Sequence, residues 1–234
     1  ISMPNKKNNV LQKLKRWLIY GILIFIASTS LAVLILGFIP INTSAFMIQT
    51  HIADFQADKG FISIEQQWVK RADISPHLFS AVIAAEDQLF YQHIGFDFNS
   101  IYAALKNNSS GGKLRGASTI TQQVAKNLFL SSSRSFWRKG FEAWFTLLIE
   151  LFWSKERILL VYVNIAEFGD HLYGADAASH HYFSIPASKL SPQQSALLAA
   201  SLPNPALFTI DRPNEKLLDK QQWILRQMRN LNFI

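Results

Sequence analysis

Residues Glu86–Asp97 read Glu-Asp-Gln-Leu-Phe-Tyr-Gln-His-Ile-Gly-Phe-Asp, directly after the apolar run Phe-Ser-Ala-Val-Ile-Ala-Ala of Phe79–Ala85. An apolar run of this kind is a buried helix, and an unpaired buried carboxylate costs several kcal/mol. Two adjacent acids at its end, Glu86 and Asp87, therefore call for a reason. If the helix continues to His93, helical spacing places Glu86, Phe90 and His93 on one face. One reading is a helix end that points a carboxylate into a cleft. The plainer one is an acidic helix end stopped at Gly95.

Working back toward the N-terminus, Ser75-Pro76 is a helix start, so the helix spans Pro76–Asp87. Residues 40–75 read as a connector with one or two short strands, of which Phe61–Val69 is the better candidate. Before it, Trp17–Ile39 is an uncharged run of 23 residues. At about 1.5 Å per residue it reaches about 34 Å, enough to cross a bilayer core. It is longer than the apolar region of a signal peptide and lacks a convincing small-x-small cleavage site, so an uncleaved anchor is expected. Lys6, Lys7, Lys13, Lys15 and Arg16 precede it and no comparable cluster follows. The positive-inside rule then leaves the N-terminus in the cytoplasm and residues 40–234 outside.

That location also explains the charge. Five of the 23 basic residues lie in residues 1–53, which hold no acid, so they carry most of the net +7. The rest of the chain is nearly balanced, which argues against a nucleic-acid surface. The absence of Cys excludes disulfides, Cys-ligated zinc and thiol catalysis.

Toward the C-terminus, Asn99–Lys106 is a short helix and 107–116 a Gly/Ser/Asn-rich basic loop. Its Ser110-Gly-Gly-Lys113 matches S-x-x-K only formally, since the companion S-D-N and K-T-G motifs are missing. In Gly116–Asn127, Ser118 or Thr119 caps a helix whose Thr119, Gln123 and Lys126 share a face, with Ser118 and Gln122 in the next row. Hydroxyl, amide and ammonium groups at a helix start suit anions and sugars, although a solvated polar face has the same composition. Ser135–Trp153 is a long apolar helix with Arg138 and Glu142 as i, i+4 neighbours. Its aromatic excess exceeds one core-facing stripe and suits a membrane interface. Ser154 caps a helix running to Phe168, ended by Glu167, Gly169 and Asp170. Tyr173–Phe183 forms another, and His180 and His181 on it have no metal-ligand spacing. Helices from Pro192 and Pro213 complete a mainly α chain.

Four of these stretches occur together in one order. They are Glu86-Asp-Gln-Leu-Phe-Tyr-Gln-His-Ile-Gly95, then Gly116-Ala-Ser-Thr-Ile-Thr-Gln-Gln-Val-Ala-Lys-Asn127, then Arg138-Lys-Gly-Phe-Glu142, then Lys155-Glu-Arg-Ile-Leu-Leu-Val-Tyr-Val-Asn164 with Glu167–Gly169. Together they resemble glycosyltransferase family 51, the peptidoglycan polymerases, over about residues 61–208. Ala117 stands where many relatives carry a second Gly. The chain has one anchor and no transpeptidase region, as in the monofunctional members.

The resemblance implies a lysozyme-like helical large lobe with a smaller membrane-associated jaw lobe, preceded by one transmembrane helix. It divides the chain into a cytoplasmic stub (1–16), an anchor (17–39), a connector (40–60) and a glycosyltransferase domain (61–234). It implies polymerisation of lipid II by inverting transfer, with a β-1,4 linkage and release of undecaprenyl diphosphate, at the bacterial inner membrane. Glu86 would be the base on the acceptor 4-hydroxyl, with burial raising its pKa toward the useful range. Glu142 would be the second carboxylate, positioning Arg138 or a diphosphate-bound Mg or Mn ion. Lys126 and Arg138 would meet the diphosphate. Asp87, His93, Ser118, Thr119, Gln122, Gln123, Asn127 and Lys155 would orient or bind. The partners implied are lipid II, the growing lipid-linked glycan, the membrane and other wall-synthesis and division proteins, with no nucleic acid and no organic cofactor. A muramidase or lytic transglycosylase shares a single critical Glu, but has no diphosphate for the cationic motifs to meet. A non-catalytic wall-binding membrane protein would need no Glu86.

Overall fold

The computed structural model describes residues 6–109, 118–133 and 135–234. The S-x-x-K match and most of the expected 107–116 loop lie outside them. The chain divides into two compact units, residues 1–39 and 40–234.

The first unit is helix α1, Lys6–Leu36, which begins inside the basic stub. Its apolar part, Leu11–Leu36, is 26 residues long. Trp17, Ile19, Leu23, Ile24 and Leu31 are all exposed. A helix that is apolar all round and unburied is built for lipid rather than for a protein core.

The second unit begins with α2, Ala45–Gln56, in the segment expected to be a connector. Its Ser44 cap, which accepts from the Met47 N–H, is the helix signal that the strand reading passed over. Gln49 pins it to the turn after the fifth helix: Nε2 donates to Leu130 O (3.0 Å) and Oε1 accepts from Ser132 N–H (2.8 Å). Only Glu65–Gln66 of the expected strand pairs, as β1. Then follow α3 (Pro76–Glu86), α4 (Phe98–Ser109), α5 (Ile120–Phe129), α6 (Phe136–Phe152) and α7 (Lys155–Ile165). Next come strands β2 (Glu167–Gly169) and β3 (Leu172–Tyr173), and helices α8 (Ala175–Phe183), α9 (Pro192–Ser201) and α10 (Glu215–Asn230).

Two corrections concern boundaries. The helix expected to run to Phe168 stops at Ile165, and Glu167–Gly169 folds back as β2 against β3. Tyr173, expected in the next helix, is in β3, which also pairs in parallel with β1, Glu65 opposite Leu172. Alternation over two or three residues is too short a signal to separate from a helix end. Six of the expected helix starts carry a side-chain cap. Ser75, Thr119, Ser135, Ser154, Ser191 and Asn214 each accept from a backbone N–H in the first turn. Each such cap is worth about 1 kcal/mol.

Packing follows the apolar faces. Helix α3 is buried on almost every side (Leu78, Phe79, Ala81, Val82, Ile83, Ala84) and packs with α9 and α10. Helix α5 packs between α6 and α7. Phe136 and Trp137 at the start of α6 are exposed, consistent with a surface that meets the membrane interface.

One polar clasp ties α2 to the sheet. His171 lies at the β2–β3 turn in the left-handed region (φ 56°). Its Nε2 is 2.6 Å from Asp54 Oδ2 and its Nδ1 2.9 Å from Asp170 Oδ1. Two carboxylate acceptors require both ring nitrogens to carry protons. The bond to Asp54, above all, holds the imidazole above its ordinary pKa, with the Asp170 charge assisting. The raised folded-state value makes the contribution complete below the unfolded pKa and lost as pH rises through the folded one. Raising the pH from about 6 to about 8.5 is therefore expected to lower the melting temperature by about 2–4 °C. His171→Asn tolerates the same backbone and should lose that part of the slope, as melting curves across pH will check.

Candidate active site

The helix α3 ends at Glu86, and the two acids part there. Asp87 leaves the helix with φ −162°. Glu86 keeps its carboxylate largely covered but reachable, with 13% of the side chain exposed. Its Oε2 accepts from Gln123 Nε2 on α5 at 2.9 Å. Gln123 Oε1 in turn accepts from the Tyr162 hydroxyl on α7 at 3.1 Å. On the other side Lys220 Nζ of α10 stands 3.9 Å from Glu86 Oε1. Burial holds Lys220 below the ordinary lysine pKa, and the Glu86 charge counteracts this. Three helices thus meet at one carboxylate.

Asp87 points the other way. It is buried, and its Oδ2 accepts the Ile120 N–H at the start of α5 (3.1 Å). His93 Nε2 lies 2.9 and 3.0 Å from its two oxygens. Burial raises the Asp87 pKa, against the pull of His93 and the Ile120 N–H. His93 thus reaches Asp87 from the irregular segment after α3, not along a continued helix face as the spacing predicts. Gly95 completes this brace. It has φ +74°, and a Cβ there would sit 2.7 Å from Thr146 Cγ2. Its carbonyl accepts from Thr119 Oγ1 at 2.7 Å. Thr119 and Gln122 form a reciprocal capping box. Asp87, His93, Thr119 and Gln122 therefore fix the start of α5, while Ser118 is exposed just ahead of it. Lys155 joins this framework: its Nζ is 2.8 Å from Glu150 Oε1 and 4.6 Å from the Phe90 ring centre. Thr121 Oγ1 donates to the same Glu150 oxygen at 2.6 Å.

One turn beyond Gln123, at about 4.5 Å of rise, α5 presents Lys126. Its ammonium lies 5.2 Å from the Phe46 ring centre and forms no ion pair among the described residues. Burial pushes its pKa down; Glu142 and Glu86 counter this, while Arg138 and Lys139 add to it. Arg138 Nη1 donates to Glu142 Oε2 at 2.7 Å, and Lys139 Nζ contacts Glu142 Oε1. Three cations therefore surround one buried carboxylate. Arg138 Nε and Asn127 Oδ1 are buried without partners among the described residues. With three cations and the unpartnered Arg138 N–H against one carboxylate, the cluster is short of negative charge, as a diphosphate would provide; Asn127 Oδ1, an acceptor, adds nothing to that balance.

The described side chains offer no direct metal site of their own, so the expected divalent ion would be carried by the diphosphate. Both Glu142 oxygens are taken by cationic groups. No three His, Asp or Glu side chains among the described residues converge on a common point. A separate cavity of about 800 Å³, bordered by His51, Phe61, Gln66 and Trp68, is lined by no acidic residue and offers no carboxylate base.

Sequence reasoning did not single out Lys220, Tyr162 or Phe46. For Lys220 a signal exists. Leu217, Ile224, Leu225 and Met228 form the buried face of α10, and Lys220 falls on that row, three residues after Leu217 and four before Ile224. A lysine in an apolar row calls for an anion nearby. Tyr162 and Phe46 carry no such mark, because an aromatic on an apolar face is ordinary core.

The chain is similar to known proteins over most of its length. A family model described as transglycosylase matches residues 56–229. A biosynthetic peptidoglycan transglycosylase of Pseudomonas entomophila is 49% identical over 222 residues, covering 95% of this chain and 94% of that protein. The protein of the same description from Pseudomonas fluorescens is 46% identical, covering 95% of this chain and 92% of its own length. One from Pectobacterium carotovorum is 44% identical over 226 residues, covering 96% and 93%.

Proposed function

Because the chain belongs to the transglycosylase family, whose peptidoglycan-building members it matches over most of its length, we propose that it joins lipid II units into glycan strands with Glu86 as general base. The observation that carries this reading is the single face of α5. Gln123 holds Glu86 at one turn, and Lys126 meets the Arg138–Lys139–Glu142 cluster at the next.

A sugar diphosphate is already a good leaving group, so the step needs a base more than an acid. Glu86 takes the proton of the acceptor 4-hydroxyl. The acceptor oxygen forms its bond to the anomeric carbon of the donor chain as the bond from that carbon to the diphosphate oxygen breaks. Direct displacement inverts the centre and gives the β linkage. Undecaprenyl diphosphate departs with its electron pair, and Lys126 and Arg138 stabilise the charge it gains. Glu142 acts as a positioning carboxylate that keeps Arg138 and Lys139 aimed and offsets their mutual repulsion. Lys220 supplies a counter-charge to Glu86 before the proton arrives.

Helix α1 anchors the enzyme in a single pass. Its basic residues precede the apolar segment, which supports a cytoplasmic N-terminus and a catalytic domain beyond the membrane. The exposed Phe136 and Trp137 suit contact with the same surface, where a lipid-linked substrate resides.

The test is incubation of the detergent-solubilised protein with labelled lipid II. The expected product is polymer that muramidase degrades. Cleavage of preformed glycan without polymer would establish the lytic reaction instead.

A further inference from the structure

Tyr162 sits on α7, 2% exposed, and its hydroxyl donates to Gln123 Oε1 at 3.1 Å. The other end of that amide, Nε2, donates to Glu86 Oε2 at 2.9 Å. The oxygen and nitrogen ends of a glutamine amide are nearly equal in size, so hydrogen bonding and not shape selects the orientation. We propose that Tyr162 is a positioning residue, one that locks the Gln123 amide with its N–H toward Glu86 and so keeps the base ready to accept a proton; the inference rests on Glu86 being the base.

The lock follows from what each group can do. A carboxylate only accepts, so while Glu86 is ionised it already favours the N–H end of Gln123. Once Glu86 has taken the acceptor's proton, it can donate, and a flipped amide would accept from it and stabilise the spent form. The flip would turn the amide N–H groups toward Tyr162 and leave the phenol O–H without its acceptor. An unsatisfied buried donor is costly. Burial, and the neighbouring Glu86 charge, keep the phenol protonated across the working pH range, so it remains a donor throughout. Tyr162 therefore opposes the arrangement that would hold the proton on Glu86. Two cations stand near the same carboxylate: Lys220 of α10, 3.9 Å from Glu86 Oε1, and Lys126, one turn along α5 from Gln123.

The experiment compares pH–rate profiles for lipid II polymerisation by the full chain, from about pH 5 to about pH 9. Tyr162→Phe keeps the ring and removes the hydroxyl. It is expected to lower kcat about 10-fold, leave KM near its native value, and move the acidic limb upward by about 0.5–1 pH unit. Gln123→Met breaks the same link from a half-buried position and should move the limb likewise. The double variant should add nothing to Gln123→Met. An unmoved limb in either single variant at a native melting temperature, or additive losses in the double variant, would overturn the lock. Glu86→Gln run alongside separates the levels. If it still polymerises, the base assignment fails; if it is inactive while the limb stays put, only the role of Tyr162 fails.

Discussion

Glu86→Gln is expected to lower polymerisation by about 10²–10⁴-fold, the range for losing a general base. The variant should nevertheless fold. Gln is close to isosteric with Glu, its amide oxygen can still accept from Gln123 Nε2, and Lys220 at 3.9 Å is the cation left without its carboxylate. An exchange at a position with 13% of the side chain exposed should move the melting temperature by no more than about 2–4 °C. The loss should fall in kcat, because the donor diphosphate and its cations are untouched. Initial rates with labelled lipid II, read beside a melting curve, decide the matter. Retained activity at a normal melting temperature would sink the mechanism. A collapse of both would point to a structural carboxylate, the role that belongs to Asp87.

That contrast marks how far the sequence could be read. Two acids closing an apolar run were visible, and so was a helix ending there, because Ser75-Pro76 sets its start. The division of labour was not. Successive residues at a helix end turn by about 100°, so Glu86 and Asp87 face opposite partners, and only tertiary packing says which faces the cleft. The spacing also carried the helix on to His93, whereas Asp87 leaves helical geometry and His93 returns to it across a turn. The face of α5 was legible from helical spacing alone, since Thr119, Gln123 and Lys126 repeat at the right interval. What the spacing could not show is that Thr119 spends its hydroxyl on Gln122 N–H and Gly95 O. Helix α2 was hidden for a different reason. Its Ala-Phe-Met-Ile-Gln-Thr-His-Ile mixes apolar residues on both faces, so neither period dominates, and its Phe46 bears on Lys126 only through a contact distant in sequence. The contact between Lys220 and Glu86 is likewise one between elements at opposite ends of the domain.

Lys126→Met is expected to move activity and stability in opposite directions. Arg138 and Lys139 share Glu142, whereas Lys126 is half-buried with an aromatic ring 5.2 Å away and no carboxylate in ion-pair contact among the described residues. Burial holds its pKa below the ordinary lysine value, which means that the folded protein disfavours its charge. A methionine of similar length removes that cost, so the melting temperature should rise by about 2–4 °C. The activity should fall by about 10²–10³ in kcat/KM, the loss typical of one preorganised group that stabilises developing charge. The native enzyme should also gain thermal stability from inorganic diphosphate, because the anion repays the desolvated ammonium, and the variant should gain less. Saturation kinetics with lipid-linked substrate, set beside melting curves with and without diphosphate, test all of this together. Unchanged kinetics would remove Lys126 from the donor site. A lower melting temperature in the variant would show that the ammonium stabilises the fold, and the strongest reason for assigning it to a ligand would be gone.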